Sequence, residues 1–244
     1  MRGLYAVLWC DLMLLRRRLW RTLASYSISP ALFLIAFGWG MGRQVSVNGT
    51  DYLSFMLPGL LALSSMSQSF SLGTDLNVAR FYTMTFEELQ TAPISGLTIT
   101  LGKVLGGMLR GLAAATVVGL IALAAGRGLR LTPLLVISIL TNAFVFASAA
   151  VLLAMVVRSH ADQASLNSFV IVPMSFLCGT FFPLERLPHW AQALVNLLPL
   201  THASRCIRAA ALGREFPLAS LLILAATGGL LLVGAARAVR RASI

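Results

Sequence analysis

Six long apolar stretches divide the chain, and polar or basic residues bound each of them. An α-helix rises 1.5 Å per residue, so about 20 apolar residues cross a hydrocarbon core about 30 Å thick. The hydrophobic pattern therefore predicts an all-α, polytopic membrane protein with six transmembrane helices. We place these spans at about 24–42, 52–72, 104–125, 132–157, 164–182 and 218–236.

Residues 1–23, before the first span, have a different pattern. Leucines at 4, 8, 12, 15 and 19 follow helical spacing and are interrupted by arginines, among them Arg16, Arg17 and Arg18. This pattern is typical of an amphipathic helix in the headgroup plane, with basic side chains on lipid phosphates. A plain cytoplasmic anchor for the first span is equally compatible with it.

Residues 76–101 are expected to form a polar cytoplasmic connection between the second and third spans. Thr85 and, three residues later, Glu88 form a capping-box pattern, and Pro93 would stop a helix. The sequence therefore predicts a short helix within this connection.

Residues 183–203 are apolar but broken by Pro183, Pro188 and Pro199, so each unbroken piece is too short to cross a membrane. We expect a re-entrant or interfacial helical hairpin on the outer side, packed against the fifth and sixth spans. Irregular backbone at membrane depth must be covered by protein or face a wet cavity. Trp190 should lie at the headgroup level, where an amphipathic ring is favoured.

The start of the third span contains two overlapping small-xxx-small pairs, Gly102/Gly106 and Gly107/Gly111. Such pairs allow close helix contact in membranes. We expect this span to expose them for pairing with a second copy about a two-fold axis.

Composition supports the membrane assignment. Apolar residues make up 58% of the 244 residues, charged residues only 11%, and the mean hydropathy is +0.84. So few charges could not cover a soluble globule, which is normally about a quarter charged. We expect one transmembrane domain, 1–244, made of the interfacial helix 1–23, spans one to five within 24–182, the hairpin 183–203 and span six at 218–236.

The net charge of +11 is distributed around the spans rather than along a stripe. Arginines that flank apolar spans determine topology and contact headgroups, so we expect no nucleic-acid partner. Their bias places both termini in the cytoplasm.

Sequence motifs for chemistry are sparse. The sole lysine, Lys103, is not part of a GxxxxGK[ST] phosphate loop, and neither GxSxG nor HExxH occurs. His202 and Cys206 lie four residues apart, but two ligands are too few for a metal site. We therefore predict no catalytic residue and no metal. A membrane-embedded enzyme that modifies lipid is the alternative, and it would need acidic or histidine residues converging near one interface.

Few polar residues lie inside the predicted spans. No run of acidic residues could relay protons, which disfavours an ion-driven transporter. Arg110 lies one to two turns inside the third span. Its guanidinium could snorkel to headgroups, which we prefer, or meet a partner or substrate group in the bundle.

Three segments resemble a known family. These are 55–61 (FMLPGLL), 86–95 (FEELQTAPIS) followed by Gly102 and Lys103, and 179–190 (GTFFPLERLPHW) continuing to 196–202 (NLLPLTH). Together they resemble type 2 ABC-exporter permeases, with nodulation-factor exporter and daunorubicin-resistance permeases the most similar. The last segment is the specific one, since a Pro-Gly element alone is common.

The resemblance implies a permease subunit of the bacterial inner membrane, not itself an enzyme, that exports an amphiphile such as a lipid-linked saccharide, a lipo-oligosaccharide or a drug. Two permease chains, as a homodimer or with a sister permease, would assemble with two ABC ATPases that bind ATP and Mg²⁺, and this chain would bind no cofactor itself. Contacts to the ATPases would come from the interfacial helix with Arg16, Arg17 and Arg18, and from the short helix with Phe86, Glu87, Glu88, Leu89 and Pro93. Candidates for the pathway or its gate are Pro58, Gly59, Arg110, Pro183, Pro188, Trp190 and Pro199.

Overall fold

The computed structural model describes residues 2–17, 19–39, 46–47, 50–91, 93–126, 128–157, 159–184 and 187–242. Within these residues the regular structure is helical apart from two two-residue strands, Ser46–Val47 and Thr50–Asp51, which pair antiparallel. Two π-helical segments, Leu34–Trp39 and Asn167–Ile171, interrupt the α-helices. The α-helices are α1 (Arg2–Arg17), α2 (Leu19–Phe33), α3 (Tyr52–Phe81), α4 (Thr85–Thr91), α5 (Gly96–Ala124), α6 (Pro133–Val156), α7 (His160–Leu166), α8 (Val172–Leu177), α9 (His189–Asn196), α10 (Pro199–Leu212) and α11 (Leu218–Ala242).

Three of the described helices are long and apolar enough to cross a membrane by length and composition, namely α5, α6 and residues 218–241 of α11. They correspond to the predicted third, fourth and sixth spans. Helix α5 begins at Gly96 rather than near 104, because Ser95 caps it by accepting a hydrogen bond from the Thr98 amide at 3.2 Å. The chain is thus a membrane protein built around apolar helices.

Helix α3 lies at the centre, packed on α5 and α6, and it continues to Phe81. The predicted end near 72 and the predicted polar connection from 76 are therefore wrong. The helix continues past 72 because Leu76 and Asn77 are buried against neighbouring helices. Asn77, fully buried, donates to the side-chain oxygen of Gln163 in α7 at 3.0 Å.

The first and fifth predicted spans each combine α-helical and π-helical pieces. Helix α2 contains Pro30 and continues into the π-helical segment Leu34–Trp39. The fifth consists of α7, the second π-helical segment and α8, which starts next to Pro173 and ends at Leu177. A single continuous helix to 182 is therefore wrong, since residues 178–184 form an irregular loop.

The space beside the glycines Gly102, Gly106, Gly107 and Gly111 of α5 is filled by other residues of the same chain. A Cβ at Gly102 or Gly106 would lie 2.7 Å from Val7 or 2.8 Å from Asp11 of α1. A Cβ at Gly107 would lie 2.8 Å from Ala147 of α6, and Gly111 abuts the Ser65 backbone of α3. The prediction that these glycines are exposed to a second copy is therefore wrong.

Helix α1 is attached to the bundle by a buried ion pair. Lys103 of α5 donates to the carboxylate of Asp11 at 2.8 Å, and both side chains are almost fully buried. The opposite face is exposed and apolar, with Tyr5 stacked on Trp9 and with Leu12 and Met13 beside them. An outward apolar face fits a helix at a membrane surface.

The hairpin region differs from its predicted extent. Helix α10 continues to Leu212 and ends at Gly213, which adopts a left-handed conformation with φ of 67°. It packs on α3, α6 and α11, and Ser204 hydrogen-bonds the Cys178 carbonyl, so this segment contacts both the fifth and the sixth predicted spans. The predicted end at 203 is wrong, because residues 204–211 are also largely buried.

Candidate transport pathway and coupling site

A groove of about 400 Å³ opens between α2, α3 and the α7–α8 segment. Helix spacing places Leu60, Ser64, Ser67, Ser71 and Thr74 of α3 along its floor. From Leu60 to Thr74 the floor is about 21 Å long at 1.5 Å per residue. The serine, threonine and amide residues that line the groove, on its floor and its walls together, are Ser25, Ser29, Ser64, Ser67, Gln68, Ser71, Thr74, Asn167 and Ser175.

This polar wall is unusual for helices in lipid. Polar side chains at membrane depth normally face the bundle interior or a water-filled cavity. The described residues that line the groove include none that is charged. The groove can therefore contact hydroxyl-bearing and apolar groups but offers no ion pair along its length.

Four phenylalanines cluster at one end of the groove, which we call the Phe181 end. Phe181 contacts Phe33 at 5.0 Å between ring centroids, Phe37 at 5.5 Å and Phe176 at 5.7 Å. The rings belong to the first and fifth predicted spans and to the loop after α8. They close this end of the groove with apolar surface.

The loop 178–184, which carries Phe181, is buried, and three side chains from other helices satisfy its carbonyls. Ser204 donates to the Cys178 carbonyl at 2.9 Å, and Arg208 donates to that of Gly179 at 2.5 Å. Tyr52 donates to the Phe181 carbonyl at 2.9 Å. Irregular backbone inside a membrane protein requires this kind of satisfaction.

Gly59 provides the space for this loop. A Cβ on Gly59 would lie 2.7 Å from the Thr180 carbonyl oxygen and 2.8 Å from its Cα. The Pro-Gly element of α3 and the segment starting at Gly179 are therefore in direct contact, although about 120 residues separate them. Pro58, beside Gly59, is buried inside α3.

The remaining predicted hairpin residues are further from the groove. Pro183 is buried at the end of the loop, whereas Pro188 and Trp190 are exposed at the start of α9. Pro199 occupies the first turn of α10, where its missing N–H costs nothing. Only Pro183 of these four belongs to the buried loop.

At the opposite end, which we call the Tyr26 end, Arg110 of α5 donates to the carboxylate of Asp75 in α3. Tyr26 of α2, which lines the groove, is buried at this end. Arg110 thus meets a partner group on a neighbouring helix, as in the second alternative, and its snorkelling to headgroups stays a prediction. Sequence spacing did not identify Asp75 as that partner.

Helix α4, the predicted short helix, is confirmed at Thr85–Thr91, followed by an exposed Pro93. Phe86 is buried and attaches the helix to the bundle, while Glu88 is exposed. Glu87 and Leu89 belong to α4, but their side chains lie outside the described part of the structure.

Tyr82 and Met84, just before α4, are exposed apolar residues that the sequence reasoning did not identify. The Tyr82 ring contacts His160 at the start of α7 edge-on, 6.1 Å between centroids. Nearby Arg80 donates to the Ala154 carbonyl, and burial lowers its pKa. Helices α3, α4 and α7 thus meet at one surface.

Arg16 and Arg17 are exposed in the last turn of α1, and Arg18 lies outside the described residues. His202 and Cys206, considered above as metal ligands, have different partners. His202 Nε2 lies 3.0 Å from the Asn196 carbonyl oxygen, and the Cys206 thiol donates to the Pro217 carbonyl at 3.8 Å.

Comparison with known proteins places this architecture in a family. A family model described as ABC-2 type transporter matches residues 3–212. The chain therefore belongs to the ABC-2 type transporter family. Permeases of this family generally pair with ABC ATPase subunits.

Individual relatives agree with that assignment. Nodulation protein J of Bradyrhizobium diazoefficiens is 29% identical over 207 residues, covering 80% of this chain and 78% of that protein. Nodulation protein J of Rhizobium meliloti is 28% identical over 202 residues, covering 80% and 77%. The inner membrane transport permease YadH of Escherichia coli K12 is 27% identical over 188 residues, covering 76% and 73%. Similarity to transport permeases is consistent with a transport subunit that is not itself an enzyme.

Proposed function

We propose that this chain is the membrane-spanning permease subunit of an ABC exporter, moving an amphiphilic cargo out of the cytoplasm. The observation that carries the proposal is the polar groove between α2, α3 and the α7–α8 segment. Its hydroxyl and amide walls suit a polar head, and the aromatic cluster at its Phe181 end suits an apolar group. A lipid-linked saccharide, a lipo-oligosaccharide or a hydrophobic drug combines both properties.

In the arrangement that supports this function, the chain lies in the bacterial inner membrane and crosses it six times. Both termini are in the cytoplasm. The first, second and fifth spans are formed by α2 with its π-helical continuation, by α3 and by the α7–α8 segment. Helix α1 lies on the inner surface. Helices α9 and α10 form a re-entrant hairpin whose second arm supports the loop 178–184 that blocks the outer end of the groove.

A second permease chain completes the pathway. The groove is open on one side, and polar walls facing lipid would be unfavourable. Two copies related by a two-fold axis cover both grooves and enclose a polar passage. The glycines of α5 do not provide this interface, because they are already packed against other helices of the same chain.

Two ABC ATPases drive the cycle and bind ATP and Mg²⁺, and this chain contributes the contact surface. Helix α4 with Glu87 and Glu88, together with Tyr82 and Met84, docks in a groove of the ATPase. Arg16 and Arg17 of α1 contribute a second contact. The buried pair Lys103–Asp11 connects α1 rigidly to α5, so movement of the ATPases reaches the spans.

The test is transport by the permease and its ATPase reconstituted in proteoliposomes, with a fluorescent lipo-oligosaccharide as cargo. Ser67→Trp fills the groove and should abolish ATP-driven transport while ATPase binding is retained. Thr116→Trp is the matched control, because Thr116 is exposed on α5 outside the groove, and it should leave transport unchanged. Equal transport by both variants would refute the groove as the pathway.

A further inference from the structure

The ion pair between Arg110 and Asp75 is unequal in its exposure. The Arg110 side chain is 14% exposed, whereas that of Asp75 is 60% exposed. The guanidinium is thus largely enclosed by the protein, while most of the Asp75 side chain is accessible. The two charges stand in different dielectric surroundings.

This inequality determines how the pair can open. A buried charge that loses its partner is strongly destabilised, so Arg110 requires an anion beside it. An exposed carboxylate is well hydrated and can turn away at little cost. Asp75 is therefore a replaceable partner for Arg110, whereas Arg110 remains fixed.

The pair adjoins the groove at its Tyr26 end. Tyr26 and Thr74 line the groove, and Asp75 directly follows Thr74 in α3. The described lining residues themselves are uncharged. Arg110 and Asp75 are not among those lining residues, but they lie next to Tyr26 and Thr74 at this end.

We propose that Arg110 binds the anionic headgroup of an amphiphile, and that Asp75 occupies its place while the groove is empty. The ligand class is a phosphate, sulfate or carboxylate attached to an apolar chain. A planar guanidinium binds such oxyanions through paired hydrogen bonds. The apolar chain would lie against the leucine, isoleucine and phenylalanine residues of the groove. This inference rests on the proposed function, since it takes the groove as the cargo's path.

Binding to the full-length chain in phosphatidylcholine nanodiscs tests the inference without ATP or ATPase. Dodecyl phosphate is the probe, dodecyl maltoside the neutral control and inorganic phosphate the control for a free anion. Wild-type protein should bind dodecyl phosphate, and Arg110→Gln should weaken this binding by about tenfold or more. Asp75→Asn should tighten it by about tenfold, because the competing carboxylate is removed. Dodecyl maltoside should bind all three proteins alike.

The Asp75→Asn result separates binding from a structural role. If the pair only held α3 to α5, both substitutions would lower the thermal midpoint and both would weaken binding. Unchanged or weaker dodecyl phosphate binding by Asp75→Asn protein would overturn the proposal. Inorganic phosphate binding as tightly as dodecyl phosphate would overturn the assignment to an amphiphile. Arg110-dependent binding without ATP-driven export would contradict the exporter function and leave this site intact.

Discussion

Gly59 illustrates how a single missing side chain permits a fold. The Thr180 backbone lies where a Cβ of residue 59 would project, and no flexible side-chain end is available to move aside. The loop 178–184 reaches this position because Ser204, Arg208 and Tyr52 fix its carbonyls. The sequence pointed to the Pro-Gly element of α3 and to the segment from Gly179 as distinctive. Their contact could not be predicted, because no spacing rule connects the two positions.

Gly59→Ala should therefore destabilise the protein by about 1–3 kcal/mol, the usual cost of overpacking. The measurement is the thermal midpoint in detergent. Gly119→Ala is the matched control, since a Cβ at Gly119 meets nothing within 4 Å, and alanine favours a helix over glycine. An unchanged midpoint for Gly59→Ala would contradict the packing of the loop on α3.

Lys103 and Asp11 pose a similar problem of prediction. The sole lysine was recognised as unrelated to phosphate binding, but its partner lies 92 residues away on another helix. The amphipathic pattern of α1 drew attention to its leucines, whereas Val7 and Asp11 form the buried face. The spacing of apolar residues alone does not show that an acidic residue of a helix with a lipid-facing side is buried.

Lys103→Met should destabilise the chain by about 3–5 kcal/mol, because it leaves the Asp11 carboxylate buried without its cation. The double variant Lys103→Met with Asp11→Asn removes both charges and should recover most of that loss. Thermal midpoints of the two variants provide the comparison. A double variant less stable than Lys103→Met alone would show that the ion pair does not hold α1 on α5.

At the scale of elements, helix α4 was predictable and the hairpin only partly so. Thr85, Glu88 and Pro93 are local signals, and local signals suffice for a short helix. The prolines likewise indicated α9 and the start of α10. The end of α10 lies beyond the predicted 203, and Arg208 in this extension is 4.0 Å over the Phe55 ring and hydrogen-bonds Gly179, contacts that no local signal indicates.

Reversal of both acids of α4, Glu87→Lys with Glu88→Lys, should weaken ATPase binding by about tenfold or more, since like charges across an interface cost several kcal/mol. Membrane insertion should be unaffected. Co-purification of the ATPase with tagged permease measures the effect. Glu215→Lys, at an exposed acid in the connection after α10, is the control and should retain the ATPase. Normal binding and transport by the double reversal would contradict the coupling role of α4.

Because α9 and α10 are proposed to form a re-entrant hairpin, we expect both of its ends to lie on the outer side of the membrane. Single cysteines at His189 and Glu215, in a background without Cys10, Cys178 and Cys206, should both react with an impermeant maleimide on intact cells. Both positions are exposed, whereas Gly213 is unsuitable because of its positive φ and its contact with Arg130. A cysteine at Thr85 should react only after permeabilisation. Opposite sidedness of residues 189 and 215 would mean that the segment crosses the membrane.

At the scale of the whole molecule, hydropathy predicted the helical membrane fold, because the length of an apolar stretch depends only on neighbouring residues in the sequence. It did not predict the groove, which arises where α2, α3 and the α7–α8 segment present serines to one space. It also misassigned the glycines of α5, since small-xxx-small pairs serve contacts within a chain as well as between chains. The groove, rather than these glycines, is the feature on which the proposal of a second copy rests.

The stoichiometry of the intact complex tests this account most directly. Native mass spectrometry of the detergent-purified complex of this chain with its ATPase measures it. We expect two permease chains and two ATPases, with the two grooves facing each other. A stable, transport-competent complex that contains a single permease chain would contradict the account.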